Sequence, residues 1–119
     1  MQKGIDIRCA EGAPILSTAN GVVASSIKPP GFGNVITLTH SYGFSSRYAH
    51  LQKRLVHRAE FVDKGRVIGL CGSTGLSNAP HLHYEIQFLA KKNLGHLLIG
   101  TYPISMAFFI KLRRFNGNL

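Results

Sequence analysis

Two histidines separated by one residue, His81 and His83, are the strongest candidates for chemistry in the sequence. On a β-strand, residues two apart point to the same face, so both imidazoles would converge on one side of a sheet. A neutral imidazole binds zinc, and a second imidazole beside it can act as a general base or donate a hydrogen bond to a developing oxyanion. The pattern therefore indicates a metal or proton-transfer site, with two exposed strand histidines as the alternative.

Glu85 continues the face of the two histidines two residues further along. It could orient one of the imidazoles through a hydrogen bond, or it could pair as a surface carboxylate. Before the histidines, a Gly-Ser-Thr-Gly loop at 72–75 leads to Pro80, whose fixed φ angle stiffens the entry to the strand. These neighbours favour a strand that is held in place to present His81 and His83.

Three further polar side chains lie in segments with strand character. Tyr48 and His50 are two residues apart, so we expect them to share a face, with His50 as a third imidazole and Tyr48 as a side chain that supports it. Asp6 is a carboxylate in an apolar segment, where burial would be costly without a cation or a paired group. The alternatives are a structural role for His50 and a partly exposed strand end for Asp6.

The elements that carry these residues are short apolar runs separated by turn-forming residues. The predicted strands span residues 13–16, 21–25, 35–40, 44–50, 61–62, 67–71 and 82–88. Their lengths and spacing favour an antiparallel all-β sandwich or barrel, in one domain over residues 1–119. Alternation places Ile36 and Leu38 together on one face, and one face should be core. The apolar stretch 104–112 is compatible with a short C-terminal helix or with an edge strand.

The composition sets broad limits on partners. The chain has 119 residues and a formal net charge of +9, from 14 Lys and Arg against 5 Asp and Glu. This balance favours an anionic partner or surface, for which nucleic acid, anionic lipid and bacterial cell-wall polymer all qualify, with a solvated basic face as the alternative. No arginine-rich or aromatic-interleaved tract of the kind that binds nucleic acid is present. We therefore expect no nucleic-acid partner.

The cysteines bear on metal sites and disulfides but say little about compartment, and the apolar runs bear on membrane segments. Cys9 and Cys71 are far apart and outside any C-x-x-C pair, so we expect neither a multi-thiolate zinc site nor a disulfide framework. No apolar run reaches the roughly 20 residues of a membrane span, and the first residues lack a signal-peptide pattern. We expect the N-terminus to be truncated or misassigned, which would remove any export signal.

Several short sequence blocks follow one another along the chain in a characteristic order. They are Gly4–Asp6, Gly12–Ile15, Ala19–Val23, Gly33–Ile36, Tyr48–Leu51, Val62–Gly65, Val67–Gly69, Gly72–Gly75 and Pro80–Glu85. Together they resemble the lysostaphin-type, LytM-like zinc peptidases of bacterial cell walls over about residues 2–88, with a divergent C-terminal tail. The resemblance implies an antiparallel β core with a groove, a zinc ion held by a His, an Asp and a His, and hydrolysis of peptide cross-links in peptidoglycan.

Carried over residue by residue, the resemblance implies zinc ligation by Asp6 and His83. It places His81 and His50 on the two active-site histidines that position or deprotonate the zinc-bound water and stabilise the tetrahedral intermediate. The zinc would act as a Lewis acid and lower the pKa of its water toward ~7. The family's first ligand is a histidine four residues before the aspartate, and Gln2 stands there with a neutral amide oxygen that is a poor zinc donor.

Two functions are consistent with this pattern. The first is a zinc metalloendopeptidase of the bacterial cell envelope, periplasmic or extracellular, which is impaired unless a water, an upstream residue or a partner's carboxylate completes the zinc site. The alternative is a non-catalytic LytM-like domain that binds the wall or regulates a partner hydrolase, which Gln2 and the short N-terminus favour. The retained histidines favour the enzyme, because a scaffold has no physical need for three imidazoles that line a groove.

Overall fold

The computed structural model describes residues 4–91 and 97–101. This part of the chain contains ten β-strands and one 3₁₀ turn at Ser41–Gly43, with no α-helix. The strands are β1 (Ile5–Arg8), β2 (Pro14–Leu16), β3 (Gly21–Ile27), β4 (Asn34–Thr39), β5 (Phe44–Leu51), β6 (Lys53–Arg54), β7 (Phe61–Val62), β8 (Val67–Leu70), β9 (His81–Lys91) and β10 (Leu97–Thr101). The all-β prediction is confirmed, whereas Gln2 and the stretch 104–112, with its predicted helix or edge strand, lie outside the described residues.

The strands form two antiparallel sheets. The larger sheet has the order β1-β9-β5-β4-β3-β7, and β10 also pairs with β9. The smaller sheet has the order β2-β8-β6. The long strand β9 has β5 along one edge, and along the other edge β1 pairs with its first residues and β10 with its later residues. The strand β1 and the end of β5 therefore meet at the start of β9, although the three segments are far apart in the sequence.

The core is built from alternate side chains of the larger sheet packed against the smaller one. Ile36 and Leu38 are both fully buried, as their shared face predicts. Each buried aliphatic or aromatic side chain contributes roughly 1.5–3 kcal/mol relative to an exposed one. The fully buried hydrophobic side chains also include Tyr48, Ala49, Leu51, Val62, Ile68 and Cys71. The described part of the chain contains no helix long and apolar enough to cross a membrane.

A disulfide bond joins Cys9 and Cys71, so the expectation that the cysteines form no such link is wrong. The two residues are 62 positions apart, but backbone hydrogen bonds hold the segment after β1 against the end of β8: Gly12 N–H donates to Cys71 O, and Cys71 N–H donates to Ala13 O. Spacing alone could not show this pairing because it arises from tertiary proximity. A loop of this length gives a chain-entropy stabilisation of about 4 kcal/mol.

Candidate active site

Asp6 and His83 meet across the pairing of β1 with β9. They are directly opposite each other in the register, and Nδ1 of His83 lies 2.8 Å from Oδ1 of Asp6. Because opposite residues of an antiparallel pair have neighbouring side chains, the register itself places the carboxylate against the imidazole. The fold thus brings together, across 77 positions of sequence, the two residues predicted as zinc ligands.

Two more histidines complete the cluster. Nε2 of His81 lies 3.7 Å from Oδ1 of Asp6. The ring centroid of His50 lies 4.9 Å from that of His81 and 6.2 Å from that of His83. We call these four residues, Asp6, His50, His81 and His83, the histidine cluster.

His50 reaches the cluster through an unusual backbone conformation, with φ at 63°. A non-glycine residue in this left-handed region carries a strain of order 1–3 kcal/mol, and such strain concentrates at functional sites. The backbone N–H of His50 donates to the carbonyl of Phe32 at 2.9 Å, which holds the conformation. The conformation turns the imidazole toward His81 and His83, where regular alternation would not place it.

Tyr48 lies on the opposite face of the sheet from the cluster. It pairs directly with Tyr84, and its hydroxyl hydrogen-bonds with Ser46 and Thr18 at 2.9 Å each. The prediction that Tyr48 and His50 share a face is therefore wrong, because the left-handed residue interrupts the alternation. Tyr48 is a fully buried core residue whose described hydrogen bonds do not involve the cluster.

Backbone carbonyls fix which nitrogen carries the proton in two of the histidines. Nδ1 of His50 lies 2.7 Å from the carbonyl oxygen of Thr74, and Nδ1 of His81 lies 2.8 Å from that of Ala79. A carbonyl oxygen only accepts hydrogen bonds, so Nδ1 must donate in each pair. Nε2 of each neutral ring is therefore left with a lone pair, which is what a general base needs.

The Gly-Ser-Thr-Gly loop supplies the carbonyl that orients His50. The hydroxyl of Thr74 donates to the carbonyl of Leu51 at 2.6 Å and ties this loop to the end of β5. Gly33 and Gly75 have φ of 65° and 76°, and a Cβ on either would clash with the facing loop. The two loops can pack backbone to backbone only with glycine at these positions. The sequence indicated a stiff entry to the strand at Pro80, but it did not identify Thr74 as the residue whose carbonyl holds the imidazole.

Glu85 is a buried carboxylate next to the cluster, with 2% of its surface exposed. Its Oε2 lies 2.8 Å from Nε2 of His83, on the opposite side of that ring from Asp6. Gln87 donates to its Oε1 at 3.1 Å, and the Arg47 guanidinium lies 3.8 Å from the same oxygen. A carboxylate in this position fixes the orientation of an imidazole and makes it a better metal ligand.

The electrostatics of the cluster favour positive charge between Asp6 and Glu85. The hydrogen bond from His83 lowers the pKa of Asp6 and outweighs the opposing effect of burial. Burial alone would lower the pKa of His83, but the hydrogen bonds and charges of Asp6 and Glu85 together raise that pKa above its ordinary value of 6.5. A cation that replaces the proton on Nδ1 of His83 would meet the same favourable field.

The described donor atoms are of the types that bind zinc, but they are fewer than a catalytic zinc site usually has. A carboxylate oxygen and an imidazole nitrogen are both common zinc ligands, and catalytic zinc sites usually have three protein ligands. Among residues 4–91 and 97–101, no group of three or more His, Cys, Asp or Glu side chains is arranged to hold a metal ion. Asp6 and His83 thus match two ligands of a three-ligand site.

Comparison with known proteins identifies the family. Residues 1–94 match the sequence profile described as Peptidase family M23. The chain belongs to this family. The resemblance to lysostaphin-type peptidases, read from the blocks of sequence, is confirmed.

This M23 chain is similar to several proteins of known name or structure. It is 40% identical to the peptidoglycan DD-endopeptidase ShyB of Vibrio cholerae over 83 residues, and this aligned region covers 70% of this chain and 20% of that protein. A zinc-containing peptidase from Vibrio cholerae has a TM-score of 0.69 and 39% identity over 71% of this chain and 26% of its own. The catalytic domain of the antimicrobial peptidase lysostaphin from Staphylococcus simulans has a TM-score of 0.77 and 30% identity over 91% of this chain and 78% of its own. The M23 chain spans about a fifth of the length of the curated relative ShyB.

Proposed function

We propose that this chain is a zinc metalloendopeptidase domain that hydrolyses peptide cross-links of bacterial peptidoglycan, with a metal site weakened by Gln2. The observation that carries the proposal is the meeting of Asp6, His50, His81 and His83 in one cluster, in a chain of family M23. The names of two similar proteins, a peptidoglycan DD-endopeptidase and a zinc-containing peptidase, support the choice of substrate and metal.

Asp6 and His83 would hold the zinc ion through Oδ1 and Nδ1, while Nε2–H of His83 donates a hydrogen bond to Glu85. When bound, zinc polarises the scissile carbonyl and brings the pKa of a water molecule toward ~7. A glutamine oxygen is a much poorer zinc donor than imidazole, so we expect an affinity several powers of ten below that of a site with three good ligands. Weak zinc binding is thus part of the proposal.

His81 and His50 would carry the proton during hydrolysis. Each has Nδ1 committed to a backbone carbonyl, which leaves Nε2 to take a proton from the attacking water. The resulting imidazolium can then donate to the developing oxyanion or to the leaving amine. Nε2 of His81 is 3.7 Å from the Asp6 carboxylate, which would stabilise the positive charge that this ring acquires.

The cell envelope is the compartment that the proposal requires. The disulfide between Cys9 and Cys71 supports it, because disulfides persist in oxidising compartments such as the periplasm and the cell exterior. The net charge of +9 also favours association with an anionic wall polymer. Both features are consistent with a chain that works outside the cytoplasm.

A non-catalytic domain that binds the wall or regulates a partner hydrolase is the second candidate. The observation that favours it is Gln2 at the position of a ligand histidine. The two candidates differ in whether the chain cleaves a cross-linked muropeptide once zinc is bound.

The test is a cleavage assay on cross-linked muropeptides at a fixed excess of zinc. We expect slow cleavage by the natural chain, faster cleavage and tighter zinc binding by Gln2→His, and loss of cleavage when His81→Ala is added to Gln2→His. His57→Ala is the matched control, because this histidine lies outside the cluster with its side chain 89% exposed. Bound zinc without cleavage in Gln2→His would favour the non-catalytic domain, and equal zinc affinity with Gln2 and with His at that position would contradict the weakened site.

A further inference from the structure

A cleft of about 790 Å³ opens beside the histidine cluster. One wall comes from β1 and the turn after it, at residues 6 and 8–10, and the other from residues 79–81 at the entry to β9. Asp6 and His81 belong both to this cleft and to the cluster. A peptide whose scissile bond lies at the cluster can therefore extend into the cleft.

Arg8 places a permanent positive charge in this cleft. It is directly opposite His81 in the pairing of β1 with β9, and it shares a strand face with Asp6. At ~3.3 Å of rise per residue, the backbone of Arg8 lies ~7 Å from that of Asp6, so its long side chain can reach a group bound next to the cluster.

The guanidinium of Arg8 has no internal partner in the described part of the chain. Three other arginines are engaged within the fold: Arg47 pairs with a buried carboxylate, Arg54 donates to Asn34 and Ser26, and Arg66 pairs with Glu60. Arg8 is exposed. Its five donors are thus available to a ligand in the cleft.

We propose that Arg8 binds a carboxylate that the substrate carries on the residue next to the scissile bond. A guanidinium forms two parallel, charge-assisted hydrogen bonds with a carboxylate, which gives both affinity and orientation. In an extended peptide one residue spans ~3.3 Å, so a carboxylate on that residue lies beside the cluster and within the cleft. This inference rests on the proposed peptidase function and names a substrate feature that it would select. The carboxylate can be the C-terminal one or that of a side chain.

The test is the binding of three labelled peptides to the purified full chain without added zinc, at low ionic strength, followed by fluorescence anisotropy. The probes are a fluorescein-labelled peptide that ends in D-alanyl-D-alanine with a free carboxylate, the same peptide as its amide, and an amide with D-aspartate as its last residue. We expect the free acid to bind at least about fivefold more tightly than the alanine amide, equivalent to about 1 kcal/mol. If the aspartate amide also binds more tightly than the alanine amide, Arg8 can bind a side-chain carboxylate as well as a C-terminal one.

Variants identify Arg8 as the cause. Arg8→Gln should abolish the preference for a carboxylate, and Arg8→Lys should keep part of it, because lysine retains the charge without the paired donors. Arg58→Gln is the matched control, since Arg58 is an exposed arginine in the turn before β7. Thermal unfolding of each variant checks that the fold is intact.

Equal binding of acid and amides by the natural chain would overturn the inference. So would a preference that survives in Arg8→Gln, or the absence of binding of every probe at millimolar protein. The test of Arg8 and the test of the proposed function can fail independently. If the chain cleaves muropeptides but its peptide binding does not depend on Arg8, only the role of Arg8 is refuted. If Arg8 causes a preference for carboxylate peptides but the chain does not cleave muropeptides, only the peptidase function is refuted.

Discussion

Replacing Glu85 with glutamine should weaken zinc binding without unfolding the protein. Glu85 is 2% exposed, and its Oε2 lies 2.8 Å from Nε2 of His83. Glutamine has nearly the same volume, so the packing around position 85 is retained. The change removes the negative charge that holds the proton on Nε2 and so leaves His83 a less basic ligand at Nδ1.

The expected magnitude follows from the geometry of this hydrogen bond. Mutation of the hydrogen-bond partner of a metal-binding histidine typically lowers metal affinity about 10- to 100-fold. A hydrogen bond to a charged group is worth about 1.5–3 kcal/mol and one to a neutral group about 0.5–1.5 kcal/mol, so loss of the charge costs about 1–1.5 kcal/mol, or about tenfold in affinity. We therefore expect a loss of about tenfold, at the lower end of the first range.

Zinc affinity measured by chelator competition, in the Gln2→His background, checks the prediction. Glu60→Gln is the matched control, since Glu60 pairs with Arg66 outside the cluster. In a chain that also carries His83→Gln, the change at position 85 should have no further effect on zinc affinity. A folded Glu85→Gln protein with unchanged zinc affinity, or an equal loss in the absence of His83, would refute the reasoning.

The disulfide, Tyr48 and the charge on His83 each give a further prediction. Cys9→Ser together with Cys71→Ser should lower the free energy of unfolding by about 2–4 kcal/mol in denaturant titrations, and a reductant that leaves the stability of the natural chain unchanged would contradict the disulfide. Tyr48→Phe should lower the free energy of unfolding by about 1 kcal/mol through loss of its hydroxyl hydrogen bonds, whereas a change in zinc affinity would show that this side chain does support the metal site. In the zinc-free protein the pKa of His83 is raised above 6.5, so the stabilisation by its charged form is fully present below pH 6.5 and is lost as the pH rises through the higher folded-state pKa. His83→Gln should therefore lower the free energy of unfolding more at about pH 6 than at about pH 9. An equal effect at both pH values would count against the interaction of His83 with Asp6 and Glu85.

Local sequence pattern was sufficient for much of the fold. The alternation around Ile36 and Leu38 predicted a strand with one buried face, and both side chains are fully buried. Turn-forming residues separated the strands because they accept dihedral angles that strand residues avoid. The two-residue strand β6 was not predicted, since a pair of basic residues has no periodicity to detect.

The cluster itself could not be derived from local pattern. Asp6 and His83 are opposite each other only because β1 and β9 pair in one particular register, and periodicity does not specify pairing between segments 77 positions apart. The order of motifs supplied that information through the resemblance to a family. Alternation also failed at His50, where φ of 63° overrides the strand geometry on which the prediction depended.

The proposed metal site can be examined by locating zinc in crystals of the full chain, from anomalous scattering at the zinc absorption edge. We expect one zinc ion within coordination distance of Oδ1 of Asp6 and Nδ1 of His83, with His50 and His81 close by but not bound to it. Zinc held by His50 or His81 instead, or a folded chain that takes up no zinc at Asp6 and His83 at millimolar zinc, would contradict the proposed site.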